Sequence, residues 1–252
     1  MVFAPASLIL TNYNLPIIRA LYLSRNMSLI PTITNKELAT PIKTKDAEVW
    51  VQSLLKRYHV TRESRDFLIQ RKGVTNEIIK ELIPLSKYCS RKYSCEGYLL
   101  KFYPGSEQSF DAEIIKDNGD LVERIEVTLA IDGYQNSIQA EALVEFGTAP
   151  MFRTPLYEGV GRKRRLLENS EYDFIDNDEW INKLAVLIQK SYNKKHGNIH
   201  KYPETTLLIG VDIALASNGE ASQVLSCFTL SPNTFEKVYC VNISGLQLWE
   251  LK

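Results

Sequence analysis

Apolar side chains recur at helical spacing along the front of the chain. Val49, Trp50, Leu54 and Leu55 form one stripe over residues 46–58, with Asp46 placed to cap it. Ile78, Ile79, Leu82 and Ile83 repeat the pattern over 76–88, with Asn76 as the cap. Pro84 has no amide hydrogen and is expected to end or kink this second helix. Between the two stripes lie Lys56, Arg57, Arg62, Arg65, Arg71 and Lys72, a cationic stretch whose plainest meaning is a solvated helix surface.

The period then changes to two. Gly97 to Tyr103 reads as a strand, with Gly105 and Ser106 as a turn. Phe110, Ala112 and Ile114 alternate with Asp111 and Glu113, which predicts a second strand with an apolar and an acidic face. Asp117-Asn118-Gly119-Asp120 is a hairpin signal, and Leu121 to Ala130 alternates again, setting Ile125, Val127 and Leu129 against Glu126, Thr128 and Ala130. The prediction is an antiparallel meander. Helical spacing returns near Asn136 with Ile138, Ala142 and Leu143, closed by Gly147 and Pro150, and again from Trp180 to Tyr192. Residues 205–215 are almost continuously apolar, as in a strand buried on both faces. Val238–Ile243 and Leu246–Leu251 supply the last strands. This order predicts an α/β fold with a mixed central sheet.

Composition narrows the function classes. Of 252 residues, 44% are hydrophobic and 24% charged, which excludes wholesale disorder, collagen and coiled coil. Thirty basic residues balance thirty acidic ones, so attraction to nucleic acid has to come from local patches. Four cysteines, Cys89, Cys95, Cys227 and Cys240, contain no C-x-x-C pair, which argues against a zinc ribbon and for reduced thiols in a cytoplasmic protein. Asn12, Asn14, Pro16 and Arg19 interrupt the apolar amino terminus, so no membrane span is expected there. Residues 1–30 read as an appended arm or a start assigned too early, and residues 31–252 as one domain with a helical front (31–95) and a sheet-bearing core (96–252). The segment 147–172 is too long for an ordinary connection and carries Arg153 and Arg162-Lys163-Arg164-Arg165.

The candidate chemistry sits on the meander. Glu126 and Thr128 share a face, and the hairpin can bring Asp111 opposite them. Paired carboxylates on neighbouring strands repel, and a divalent cation relieves that repulsion. Such a cation lowers the pKa of bound water and neutralises a phosphate under attack. The plain alternative is a row of polar residues on the solvated face of a sheet.

The stretch from about 90 to 215 resembles the PD-(D/E)xK nuclease superfamily, the restriction-endonuclease-like fold. There an aspartate on the second core strand is followed, after a hairpin, by an acid-x-lysine triplet on the third, then a helix and a buried strand. Asp111 matches the aspartate, Glu126 the acid, and Thr128 stands where the lysine belongs. The resemblance implies helices on both faces of the sheet, Mg²⁺ or Mn²⁺ held by Asp111 and Glu126, and hydrolysis of phosphodiester bonds, in DNA before RNA, in a defence or restriction setting. The lysine of active members orients or helps deprotonate the attacking water. Without it here, the amine has to come from elsewhere, with Lys101 or Lys116 as candidates. Gln139 and Glu141 from the following helix, and Glu96 or Glu113, are candidates for the metal shell. Arg162, Lys163, Arg164, Arg165, Lys194 and Lys195 are candidate grips on the phosphate backbone.

Two functions compete: a metal-dependent nuclease, and a nuclease-derived module that binds nucleic acid or protein without catalysis, for which Thr128 is the warrant. The second leaves room for a homodimer or a protein partner. Other motifs are weaker. Gly197 separates His196 from His200, and Gly159-Val160-Gly161 lacks the ending of a P-loop.

Overall fold

The computed structural model describes residues 30–105, 108–147, 157–158, 165–166, 177–196, 204–212, 218–231 and 235–251. In chain order the elements are α1 (Asn35–Leu38), β1 (Ile42–Lys43), α2 (Ala47–Tyr58), α3 (Arg62–Ile69), α4 (Val74–Glu77), a π-helical turn (Ile78–Leu82), α5 (Ile83–Lys92), β2 (Tyr98–Phe102), β3 (Ala112–Lys116) and β4 (Leu121–Leu129). They continue with α6 (Gly133–Phe146), β5 (Tyr157–Glu158), β6 (Arg165–Leu166), α7 (Asn177–His196), β7 (Thr205–Val211), α8 (Asn218–Ser226), β8 (Lys237–Asn242) and β9 (Leu248–Glu250).

The chain falls into two compact units. The larger takes residues 32–57, 71–132 and 175–252 and holds a seven-stranded mixed sheet, ordered β1-β2-β3-β4-β7-β8-β9. Strands β2, β3 and β4 form the antiparallel meander, β7 and β8 continue parallel to β4, and β9 turns back at the edge. The smaller takes residues 1–31, 58–70 and 133–174. In it, α3 begins with a capping box in which Thr61 and Ser64 satisfy each other's backbone amides. The short strands β5 and β6 pair with each other.

Strand β7 is buried at every position, as a strand with helices on both faces must be. Leu207, Ile209 and Val211 pack beneath Ile181, Leu184, Ile188 and Tyr192 of α7 and Val224 of α8. The opposite face meets α5. A Cβ on Gly210 would lie 2.5 Å from Leu129 Cδ2 and 2.8 Å from Pro84 Cγ, so only glycine lets the helix approach this closely.

Pro84 neither ends nor breaks its helix. The backbone widens just before it into the π turn, whose last step is the Ile83 N–H donating to Ile78 O, and α5 then starts with proline in its first turn. Widening relieves the clash between the pyrrolidine ring and the carbonyl one turn back. The helix also begins at Val74 behind a left-handed Gly73, so Asn76 is not its cap. The cationic stretch of the helical front does hold a helix, α3, while α8 has no counterpart in the sequence pattern. Strand β3 starts at Ala112, which leaves Asp111 just ahead of it.

Candidate active site

Asp111 lies where β3 begins and is tied down by its own backbone. Its N–H donates to Ile125 O and its carbonyl accepts from Tyr103 N, both at 2.9 Å. Its carboxylate Oδ2 accepts the Val127 N–H at 2.7 Å, which fixes the side chain against β4. The register pairs Ala112 with Ile125, so one step back sets Asp111 across from Glu126.

Glu126 is only 4% exposed. It does not belong to a solvated sheet face. It shares a face with Leu207, its partner on β7, and that face is the one α7 covers. The cation that meets it is the Lys195 ammonium, in the last turn of α7. Ser191, one turn earlier on the same side of that helix, donates its hydroxyl to Leu129 O at 3.0 Å. That bond seats the end of α7 on the end of β4 and delivers Lys195 to Glu126.

A third carboxylate joins from the π turn. Burial, then the negative charges of Asp111 and Glu77, push Glu81 up to about 8; Lys195 opposes the shift and Glu126 adds to it. Glu77, one turn before, is also raised by burial, and its Oε2 is enclosed without a hydrogen-bond partner. Glu81 thus feels three other acids, Asp111, Glu77 and Glu126, against the Lys195 ammonium. Among the described residues no three His, Cys, Asp or Glu side chains converge into a ready-made cage. Mg²⁺ seldom needs one, since one or two carboxylates, water and substrate phosphate commonly complete its octahedron. Asp111 and Glu126, hard oxygen donors set across from each other, fit such an ion.

Thr128 sits two residues beyond Glu126 on the same face, half-buried. Lys101, proposed as the replacement amine, instead lies over the Tyr103 ring at 4.8 Å and makes no ion pair with Glu126 among the described residues. Lys116 closes β3 at the hairpin end, the far end of the strand from Asp111. Glu113 pairs with Arg124 at 3.5 Å, and Glu96 pairs with Lys43 and Lys45 at the surface. Gln139 and Glu141 lie on α6 in the smaller unit. Lys195, expected to grip phosphate, is committed to Glu126; Lys194 is exposed. Arg162, Lys163 and Arg164 lie outside the described residues, and Arg165 falls in β6. Among the described residues no helix is long and apolar enough to cross a membrane.

Sequence reasoning missed Glu81 and the role of Lys195. Glu81 could have been flagged as an acid wedged between Leu82 and the Ile78-Ile79 stripe, but only the fold brings it to Asp111. No protein-family model, characterised protein or solved structure matches this chain significantly.

Proposed function

We propose that this chain is a divalent-cation-dependent nuclease of the PD-(D/E)xK kind that hydrolyses phosphodiester bonds, in DNA before RNA. One observation carries the proposal: the Lys195 amine meets buried Glu126 beside Asp111, supplying from α7 the charge that Thr128 cannot. Asp111 and Glu126 would hold the cation, which supplies an activated water and neutralises charge on the phosphate. The Lys195 ammonium is positioned to orient that water and to stabilise negative charge as it develops. The Thr128 hydroxyl, on the same face, can hydrogen-bond the water but cannot neutralise it. Glu81 holds a proton at neutral pH beside the pair and gives it up when positive charge arrives.

Calorimetric titration of the full chain with Mn²⁺ tests the proposal. A site present in the wild type and lost in Asp111→Asn and Glu126→Gln supports it. Heats unchanged in both variants would overturn it and favour the non-catalytic module for which Thr128 argues.

A further inference from the structure

The sheet face that carries Asp111 and Glu126 continues outward along the meander. The register pairs Lys101 with Glu113 and Glu113 with Arg124, so these three form one cross-strand row. Glu113 lies two residues beyond Asp111, and Arg124 two before Glu126. The row is therefore on the face of the two acids, about 7 Å along the strands. The Tyr103 N–H donates to Asp111 O at 2.9 Å, which extends the ladder one step past β2 and sets Tyr103 beside Asp111. Phe110 directly precedes Asp111.

Two rings and two cations meet on this row. The Tyr103 and Phe110 rings lie edge to face, with centres 5.5 Å apart and planes at 83°. The Lys101 ammonium stands 4.8 Å from the centre of the Tyr103 ring, and the Arg124 guanidinium 5.3 Å from that of Phe110. Glu113 fixes the set from the middle, accepting from the Tyr103 hydroxyl at 2.5 Å and from Arg124 Nε at 3.5 Å. The Arg124 side chain is 38% exposed, and both rings are only half-buried.

Rings left half in water, each with a cation against it, match a nucleic-acid strand in two ways. Bases stack on the rings, and phosphates replace the weak cation–ring contacts. A closed duplex offers such rings no base face, because its bases cover one another; an unpaired strand does. We propose that Tyr103 and Phe110 are a stacking platform for unpaired bases, with Lys101 and Arg124 taking the adjoining phosphates, so that the substrate is single-stranded or locally opened DNA. This rests on the nuclease proposal for the phosphate over Asp111 and Glu126, and deepens it by naming the form of the strand; its test requires no cleavage.

Affinity of the full chain for a labelled oligothymidylate, and for a duplex of the same length, is measured over a salt series with EDTA present, so that nothing is cleaved. The variants are Tyr103→Leu, Phe110→Leu and Lys101→Gln/Arg124→Gln, with thermal melts to establish folding. Each leucine variant should weaken single-strand binding by about 5- to 150-fold, the worth of one stacked base, and keep the wild-type salt slope. Phe110→Trp, which retains a ring, should bind as the wild type does, and separates loss of stacking from loss of fold. The double glutamine variant should lose about 1.4 from the slope of log affinity against log salt, at about 0.7 per phosphate contact on a single strand. Wild-type affinity in both folded leucine variants, an equal loss on duplex and single strand, or no single-strand binding by the wild type overturns the proposal. If the wild type cleaves and the folded leucine variants bind as it does, the platform alone fails. If the leucine variants lose single-strand binding and the wild type cleaves nothing, the nuclease reading fails and the platform stands.

Discussion

Lys195→Met removes the amine and keeps an unbranched stem at that position of α7. The Glu126 side chain is 5% exposed and that of Lys195 23%, so the pair is neither a surface bridge nor fully enclosed. Breaking a buried pair costs about 3–5 kcal/mol, and an exposed one is worth about 0–1. The partial exposure of the lysine puts the expected loss at about 2–3 kcal/mol near neutral pH, read by urea denaturation. The loss should shrink in Lys195→Met/Glu126→Gln, where no carboxylate is stranded. DNA cleavage should fall by about 10²–10⁴-fold, the usual range for a lost proton-transfer or charge-stabilising group. Adding Thr128→Lys to Lys195→Met should restore part of both, because position 128 shares the face of Glu126. If Lys195→Met is as stable as the wild type at neutral pH and cleaves as fast, Lys195 is not the missing lysine.

Other outcomes follow from particular contacts. Glu123, on the opposite sheet face, accepts from Tyr93 at 2.6 Å, Tyr88 at 2.9 Å and Lys92 at 3.0 Å; Glu123→Ala should cost about 3–5 kcal/mol by urea denaturation. Burial would raise the pKa of Glu123, but the bonds from Thr206, Tyr93 and Lys92 hold it below the ordinary range, so its contribution is present above the unfolded value and lost as pH falls through the folded one. Glu81 has the opposite sign. Its folded pKa of about 8 means that its contribution is intact below the ordinary carboxylate range and lost as pH rises through 8. Glu81→Gln should remove that decline, gaining of the order of 5 kcal/mol over the wild type above pH 8 in the same assay. Gly210→Ala should lower stability by about 1–3 kcal/mol, since its methyl collides with Leu129 and Pro84.

The meander was legible because each strand buries one face, and burial writes itself as alternation. Glu126 was legible as a member of an acidic row, but not as buried, since its cover comes from α7, some seventy residues on. The same distance hid Lys195, which reads as one of several lysines at a helix end until Ser191 seats that helix on β4. Glu81 depended on the π turn: a helix of regular pitch broken at Pro84 gives no reason to carry an acid toward Asp111. The front was legible as helical, but the start of α3 was not, because it is set by the Thr61–Ser64 capping box rather than by an apolar stripe.

Cleavage of end-labelled DNA by the purified full chain, in Mg²⁺ or Mn²⁺ and in EDTA, tests the central claim most directly. The account predicts products with either cation and none in EDTA, with activity abolished in Asp111→Asn and Glu126→Gln variants that still melt as folded proteins. Cleavage that persists in folded Asp111→Asn, or a folded wild type that cuts neither single- nor double-stranded DNA with either cation, would contradict it.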